Sequence, residues 1–172
     1  MSAHPQRLRR GGALTCRVMA VQVSVIGSGA DGEMWAEEVG RLLGEAGCIV
    51  VCGGLGEVMA AVARGAKTAG GTTIGIVPGE SRHDASEWID YAVATGIGHA
   101  RNLAVVASGD VVIAVGGRWG TLAEIGFARV LGRAVVVLEP GWELAGEGIH
   151  RAADPREAVE LALRLGAQHA AK

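Results

Sequence analysis

The chain has 172 residues, 49% of them hydrophobic and 20% charged, a balance that suits one globular domain and excludes disorder for the bulk of the chain. A formal net charge of −2 and a pI near 6.2, with no Lys/Arg-rich face recurring along the sequence, argue against a nucleic-acid partner. No apolar run reaches the roughly eighteen residues of a membrane-spanning helix, and Cys16, Cys48 and Cys52 form neither a CxxC pair nor a Cys/His ligand set, so the sequence predicts no disulfide framework, no metal site, no membrane partner and a cytoplasmic setting.

Residues 1–18 carry arginines followed by glycines, without the continuous apolar core of a signal peptide. They read as an extension: a disordered segment over 1–19 and one domain over 20–168. From Val21 onward, Val/Ile-rich runs alternate with glycine turns and with stretches of helical apolar spacing. The predicted strands, in chain order, are 21–26 (VQVSVI), 48–52 (CIVVC), 72–77 (TTIGIV), 90–95 (DYAVAT), 110–115 (DVVIAV) and 134–139 (AVVVLE). The predicted helices are 33–46, 57–69, 98–108, 121–131 and 155–165. Most of the strands are apolar throughout, which implies burial on both faces, as in parallel sheets covered by crossover helices. The expectation is an α/β, Rossmann-like, doubly wound parallel sheet with helices on both faces, in a single domain. Ligands in such folds lie at the carboxyl ends of the strands.

Three glycine turns fall at those ends. The first, with Gly27, Ser28 and Gly29, matches G-x-G-x-x-G through Gly32, a pattern that lets backbone approach a pyrophosphate. The second strand, however, ends in Cys52-Gly53-Gly54, without the carboxylate that holds the ribose in dinucleotide sites. The second turn, with Gly53, Gly54 and Gly56, opens a helix whose first N–H groups can face an anion. The third, Gly116-Gly117-Arg118-Trp119-Gly120-Thr121, combines a helix start with a guanidinium and a hydroxyl, and is the strongest of the three for phosphate. Thr121-Leu122-Ala123-Glu124 also fits S/T-x-x-E, so Glu124 reads either as a capping-box residue or as a functional carboxylate. No Gly-Lys-Ser/Thr is present, which disfavours a Walker-type ATPase. The polar segment 79–90 suits a lid, with His83 and Trp88 as either ligand contacts or loop surface. His99 is open to the same two readings. Trp35 and Trp142 read as packing residues.

The stretches GGLGEVMAAVARGAKTAGGTTIGIVP (53–78), HARN (99–102) and VGGRWGTLAE (115–124) together resemble the LOG-like proteins, long called "lysine decarboxylases", whose motifs are PGGxGTxxE and an upstream arginine. The resemblance covers residues 21 to 139. It implies that Arg101 and Glu124 are catalytic, that the glycine turns hold phosphate, and that the activity is cleavage of the N-glycosidic bond of nucleoside 5′-monophosphates with no required cofactor. The chain is more similar to a second branch, which includes the molybdenum cofactor carrier proteins and shows a V-G-G-G-x-G-T loop and an Arg-Asn pair, as Arg101-Asn102 does here. That likeness implies a nucleotide or molybdopterin-type ligand bound without turnover. Both imply a small phosphorylated partner and a homodimer or larger oligomer with helices near the site at its interface. Gly116 stands where the enzymes have proline, Asn102 where they have lysine, and Arg118 where they have a glycine in the phosphate turn.

Overall fold

The structure is a computed structural model that describes residues 20–29, 32–138 and 143–170. The expected extension over 1–19, Cys16, the turn residues Ala30 and Asp31, Glu139 and Trp142 lie outside the described residues.

The apolar runs form seven strands among the described residues. They are β1 (Gln22–Ser28), β2 (Ile49–Cys52), β3 (Thr72–Val77), β4 (Tyr91–Ala94), β5 (Val111–Gly116), β6 (Ala134–Leu138) and β7 (Ile149–Ala152). They pair in the order β4-β3-β2-β1-β5-β6-β7, and every pair is parallel. The chain therefore winds outward from β1 to one edge, returns beside β1 as β5, and winds outward to the other edge. This reversal makes the gap between the carboxyl ends of β1 and β5 the topological switch point, where neighbouring connections diverge and leave a crevice.

Among the described residues five α-helices cover the sheet: α1 (Glu33–Glu45), α2 (Glu57–Thr68), α3 (Arg101–Ser108), α4 (Trp119–Val130) and α5 (Pro155–Ala170). Ala36, Leu43, Val62 and Ala162 bring α1, α2 and α5 into one buried cluster, and Val105, Val106, Ile125 and Ala128 bring α3 and α4 into a second one on the opposite face. The two faces of the doubly wound sheet are thus both closed by apolar packing. Helices α1 and α2 meet backbone to backbone because each supplies a glycine at the crossing. A Cβ on Gly40 would lie 2.0 Å from the Val62 carbonyl oxygen, and one on Gly65 would lie 1.9 Å from that of Glu37; a methyl at either position forces the helices apart. On the other face the buried Ser24 hydroxyl of β1 donates to the Val105 carbonyl at 2.6 Å, which satisfies the one polar side chain that β1 buries beneath α3.

Four local differences from the sequence reading have physical causes. Strand β7 is absent from the predicted elements because its sequence IHRA is short and half polar, and only its place at the sheet edge beside β6 makes it a strand. Helix α5 continues past the predicted residue 165 to Ala170. Helix α3 starts at Arg101, with 98–100 wound as a tighter 3-10 turn. Helix α4 begins at Trp119, two residues before the predicted start at Thr121, with Arg118 in the N-cap position and no side-chain cap hydrogen bond. Thr121 is therefore the third helical residue, and the capping-box reading of Thr121 and Glu124 does not hold.

Segment 79–90 is strapped to the sheet rather than poised over a crevice. The Ser86 amide donates to the Gly54 carbonyl at 3.0 Å, and Thr73 Oγ1 donates to the Trp88 carbonyl at 2.8 Å. Asp90 accepts from the Thr73 amide at 2.9 Å and from Lys67. Burial works against the Asp90 charge, but these donors hold its carboxyl below the usual range.

Candidate functional site

The carboxyl ends of β1, β2 and β5 open on a cavity of about 210 Å³. Its floor is backbone: Gly27 and Ser28 finish β1, and Gly53 follows β2. One wall is α4, where Gly120 and Thr121 precede the first intrahelical hydrogen bond, from the Leu122 amide to the Arg118 carbonyl. Their amides have no acceptor within the helix and carry the positive end of its dipole. The opposite wall is the start of α3 with its preceding turn, which supplies His99, Arg101 and Asn102. Glu124, one turn into α4, closes the cavity from within.

Arg101 and Glu124 come from different helices, and the fold puts both in this one cavity. Glu124 is 7% exposed. Burial pushes its carboxyl up to about 7, and the Arg101 charge opposes that rise. Burial likewise lowers the Arg101 pKa, against the attraction of Glu124 and Cys52, but a guanidinium remains cationic under all ordinary conditions. Its position rests on Gly53: a Cβ there would sit 2.6 Å from Arg101 Nη1 and 2.8 Å from Nη2, so the guanidinium lies flat on bare backbone. Arg101 Nε is buried without a hydrogen-bond partner among the described residues. Beneath, burial raises the Cys52 thiol to about 11, against the opposing Gly54 amide and Arg101, which makes Cys52 an inert core group.

A second cavity of about 390 Å³ adjoins the first and shares Gly27, Ser28, Leu55 and Met59 with it. Gly29 and Gly56, at the head of α2, line this second lobe.

The remaining turn residues shape the chain and line neither lobe. Gly116 and Gly117 have φ of +59° and +125°. Proline cannot adopt the first value, so glycine at 116 marks a turn built differently from one that starts with proline. A Cβ on Gly117 would meet the Thr121 side chain at 2.6 Å. Gly54 packs on Val77 and Gly75. Arg118 has φ of −119°, so a side chain there is unstrained, and it is exposed at the rim together with Trp119. The Arg118 amide donates to Ser28 Oγ at 3.1 Å, which ties the third turn to the first and takes that donor away from any ligand. His83 and Trp88 are not part of either wall; His99 is. Trp35 packs against the core. Sequence reasoning missed Leu55 and Met59 as wall residues, because apolar side chains beside glycines read as packing, and it noted Asn102 only as the neighbour of Arg101. Among the described residues no group of His, Cys, Asp and Glu is placed to hold a metal ion, and no helix is long and apolar enough to cross a membrane.

Comparisons with known proteins agree with this architecture. An uncharacterized protein of Archaeoglobus fulgidus is 40% identical over 146 residues, spanning 83% of this chain and 95% of that protein. The solved molybdenum cofactor binding protein of Rippkaea orientalis is 31% identical with a TM-score of 0.80, over 86% of this chain and 98% of that one. The molybdenum cofactor carrier protein of Chlamydomonas reinhardtii is also 31% identical, with a TM-score of 0.78 over 87% of this chain and 99% of that one. The model of the SLOG cluster4 family matches residues 20–167, which takes in the whole sheet, helices α1 to α4 and α5 as far as Ala167, and the chain belongs to that family.

Proposed function

We propose that the bipartite cavity binds a phosphorylated, nucleotide-like small molecule, with the phosphate on the amides of Gly120 and Thr121 and the glycine floor, and with Arg101 and Glu124 beside the sugar or ring that follows. The observation that carries this reading is the convergence of one cation, one buried carboxylate and a helix N-terminus on the switch point of the sheet. The lobes, at about 210 and 390 Å³, suit a ligand of nucleotide size.

Glu124 favours an enzymatic role. Hydrolysis of an N-glycosidic bond passes through a ribosyl oxocarbenium-like state, in which water adds at the anomeric carbon and the base departs with a proton. A carboxyl with a pKa of about 7 is present in both forms at neutral pH. The ionised form stabilises the developing positive charge or orients water, and Arg101 holds it in register as an electrostatic partner. A second reading, carriage of a phosphorylated pterin without chemistry, is favoured by the likeness to the Rippkaea and Chlamydomonas proteins and by Asn102 following Arg101.

Incubation with a panel of nucleoside 5′-monophosphates, followed by chromatography for free base and ribose 5-phosphate, separates the two. As a hydrolase, the protein releases both products, and Glu124→Gln lowers the rate by about 10² to 10⁴. Saturable binding of a pterin monophosphate with no release from any nucleotide makes it a carrier. Absence of both turnover and binding sinks the proposal.

We further propose that two copies of the chain associate through the α3/α4 face. Tyr91, Val93, Leu103, Phe127, Val130 and Leu131 are all exposed on this side of the sheet, Val130 at 85% and Tyr91 at 65%, whereas among the described residues Met34 is the large apolar residue exposed on the opposite face. A one-sided apolar patch of this extent is typical of an isologous interface. Sedimentation should give a dimer at micromolar concentration and a monomer for Val130→Asp. A monomeric wild type refutes the interface.

A further inference from the structure

The two lobes differ in chemistry, and the strip between them is apolar. The first lobe holds Arg101, Glu124, His99, Asn102 and Thr121. The second has Val58, Leu55 and Met59 on glycine backbone, with Glu57 its sole ionisable side chain among the described residues. Among the described residues no cationic side chain lines it, so the counter-charges for an anionic phosphate lie in the first lobe. Leu55 is the one side chain of the turn Gly53-Gly54-Leu55-Gly56. It is flanked by Gly54 at φ +72° and Gly56 at φ +82°, values that L side chains rarely adopt and that aim the turn as no other residues would. Leu55 is half-buried and lines both lobes. Met59, in the first turn of α2 and 6% exposed, continues the same strip on both sides. Leu55, held between two left-handed glycines and only half-buried, belongs to neither core cluster, and its value lies in what it meets in the crevice. Methionine beside it adapts its shape to a planar ring and makes favourable sulfur contacts with it.

We infer that Leu55 and Met59 form the wall against which the planar heterocycle of the ligand packs, so that the second lobe selects phosphorylated compounds bearing a purine- or pterin-type ring over simple sugar phosphates. This rests on the phosphate-binding reading of the first lobe. A ring so placed extends from the shared wall at Ser28 toward the head of α2, away from Arg101 and Glu124, and leaves the bond between ring and phosphate-bearing unit beside those two residues.

Isothermal titration of the full chain with three probes tests it: ribose 5-phosphate, AMP and a pterin monophosphate. The wild type should bind at least one ring-bearing probe more tightly than ribose 5-phosphate. Leu55→Ala should weaken that probe about tenfold, the equivalent of a few lost apolar contacts, while ribose 5-phosphate stays within about twofold. Leu55→Met, which keeps the apolar contact, should restore ring binding. The inference is overturned if Leu55→Ala leaves the ring-bearing probe unchanged, if it weakens all probes equally, or if no ring-bearing probe exceeds ribose 5-phosphate. If none of the three binds at all, the phosphate-site reading fails and the ring wall falls with it.

Discussion

Glu124→Gln should make the protein more stable above neutral pH and should flatten its stability between about pH 4.5 and pH 7. The carboxyl has its ordinary value of 4.5 in the unfolded chain and about 7 in the folded one, so the native state holds this proton more tightly. Its contribution is fully present below about 4.5, declines as pH rises, and is gone once the folded-state group has ionised above 7. A shift of this size corresponds to about 3 kcal/mol at most. Much of the cost at pH 8 is that of keeping a charge 7% exposed in the interior, where Arg101 compensates only in part. Glutamine keeps the shape and removes the charge. Urea denaturation of both proteins from pH 5 to pH 8 should show the wild type losing stability across this window and the variant keeping it. Parallel curves refute the buried, perturbed carboxylate. A residue that destabilises the fold at working pH and whose removal abolishes turnover has the signature of a functional group rather than a packing one.

Much of this was legible in the sequence. Runs such as DVVIAV predict β5 because five consecutive buried residues, Val111 to Val115, need apolar side chains on both faces. The glycine turns predict where the sheet edge carries its crevice. Arg101 and Glu124 sit 23 positions apart, and only the packing of α3 beside α4 brings them to one cavity, so their pairing came from family resemblance rather than from spacing. What failed was local. The capping box is a pattern of residue types, and the true helix start at Trp119 is set by the left-handed turn of Gly116 and Gly117, which places Arg118 rather than Thr121 at the cap. Arg118, where the similar enzymes have a glycine, fits the turn because the two preceding glycines take the positive φ values and Arg118 takes an ordinary extended one. Strand β7 depends on pairing with β6, a tertiary effect that four mixed residues cannot announce. Leu55 reads as core in the sequence although it lines the cavity, and Met59 is both a core residue and a wall residue, because nothing in an apolar side chain distinguishes facing a cavity from facing a neighbour.

Gly53→Ala should leave the fold intact and disable the site. Gly53 lies outside the left-handed region, so alanine is conformationally acceptable there. The atoms its methyl would meet, at 2.6 to 3.0 Å, are the guanidinium end of Arg101, a flexible group that can move away at little cost in stability. The movement takes Arg101 off its backbone seat, and a displacement of about 1 Å in a positioning group is worth about a hundredfold in rate or a comparable loss of binding. The variant should therefore melt close to the wild type while losing most of its AMP turnover or pterin monophosphate affinity. A double-mutant cycle makes the cause explicit. In an Arg101→Ala background the methyl on residue 53 has nothing to displace, so the two substitutions together should cost little more than Arg101→Ala alone, a strong departure from additivity. A reading that needs no ligand runs alongside: Arg101 holds the Glu124 carboxyl down against burial, so Gly53→Ala and Arg101→Ala should both move the pH-dependent stability window upward. Additive effects, or an unmoved window, would mean that Gly53 acts through the turn itself and not through the arginine it seats.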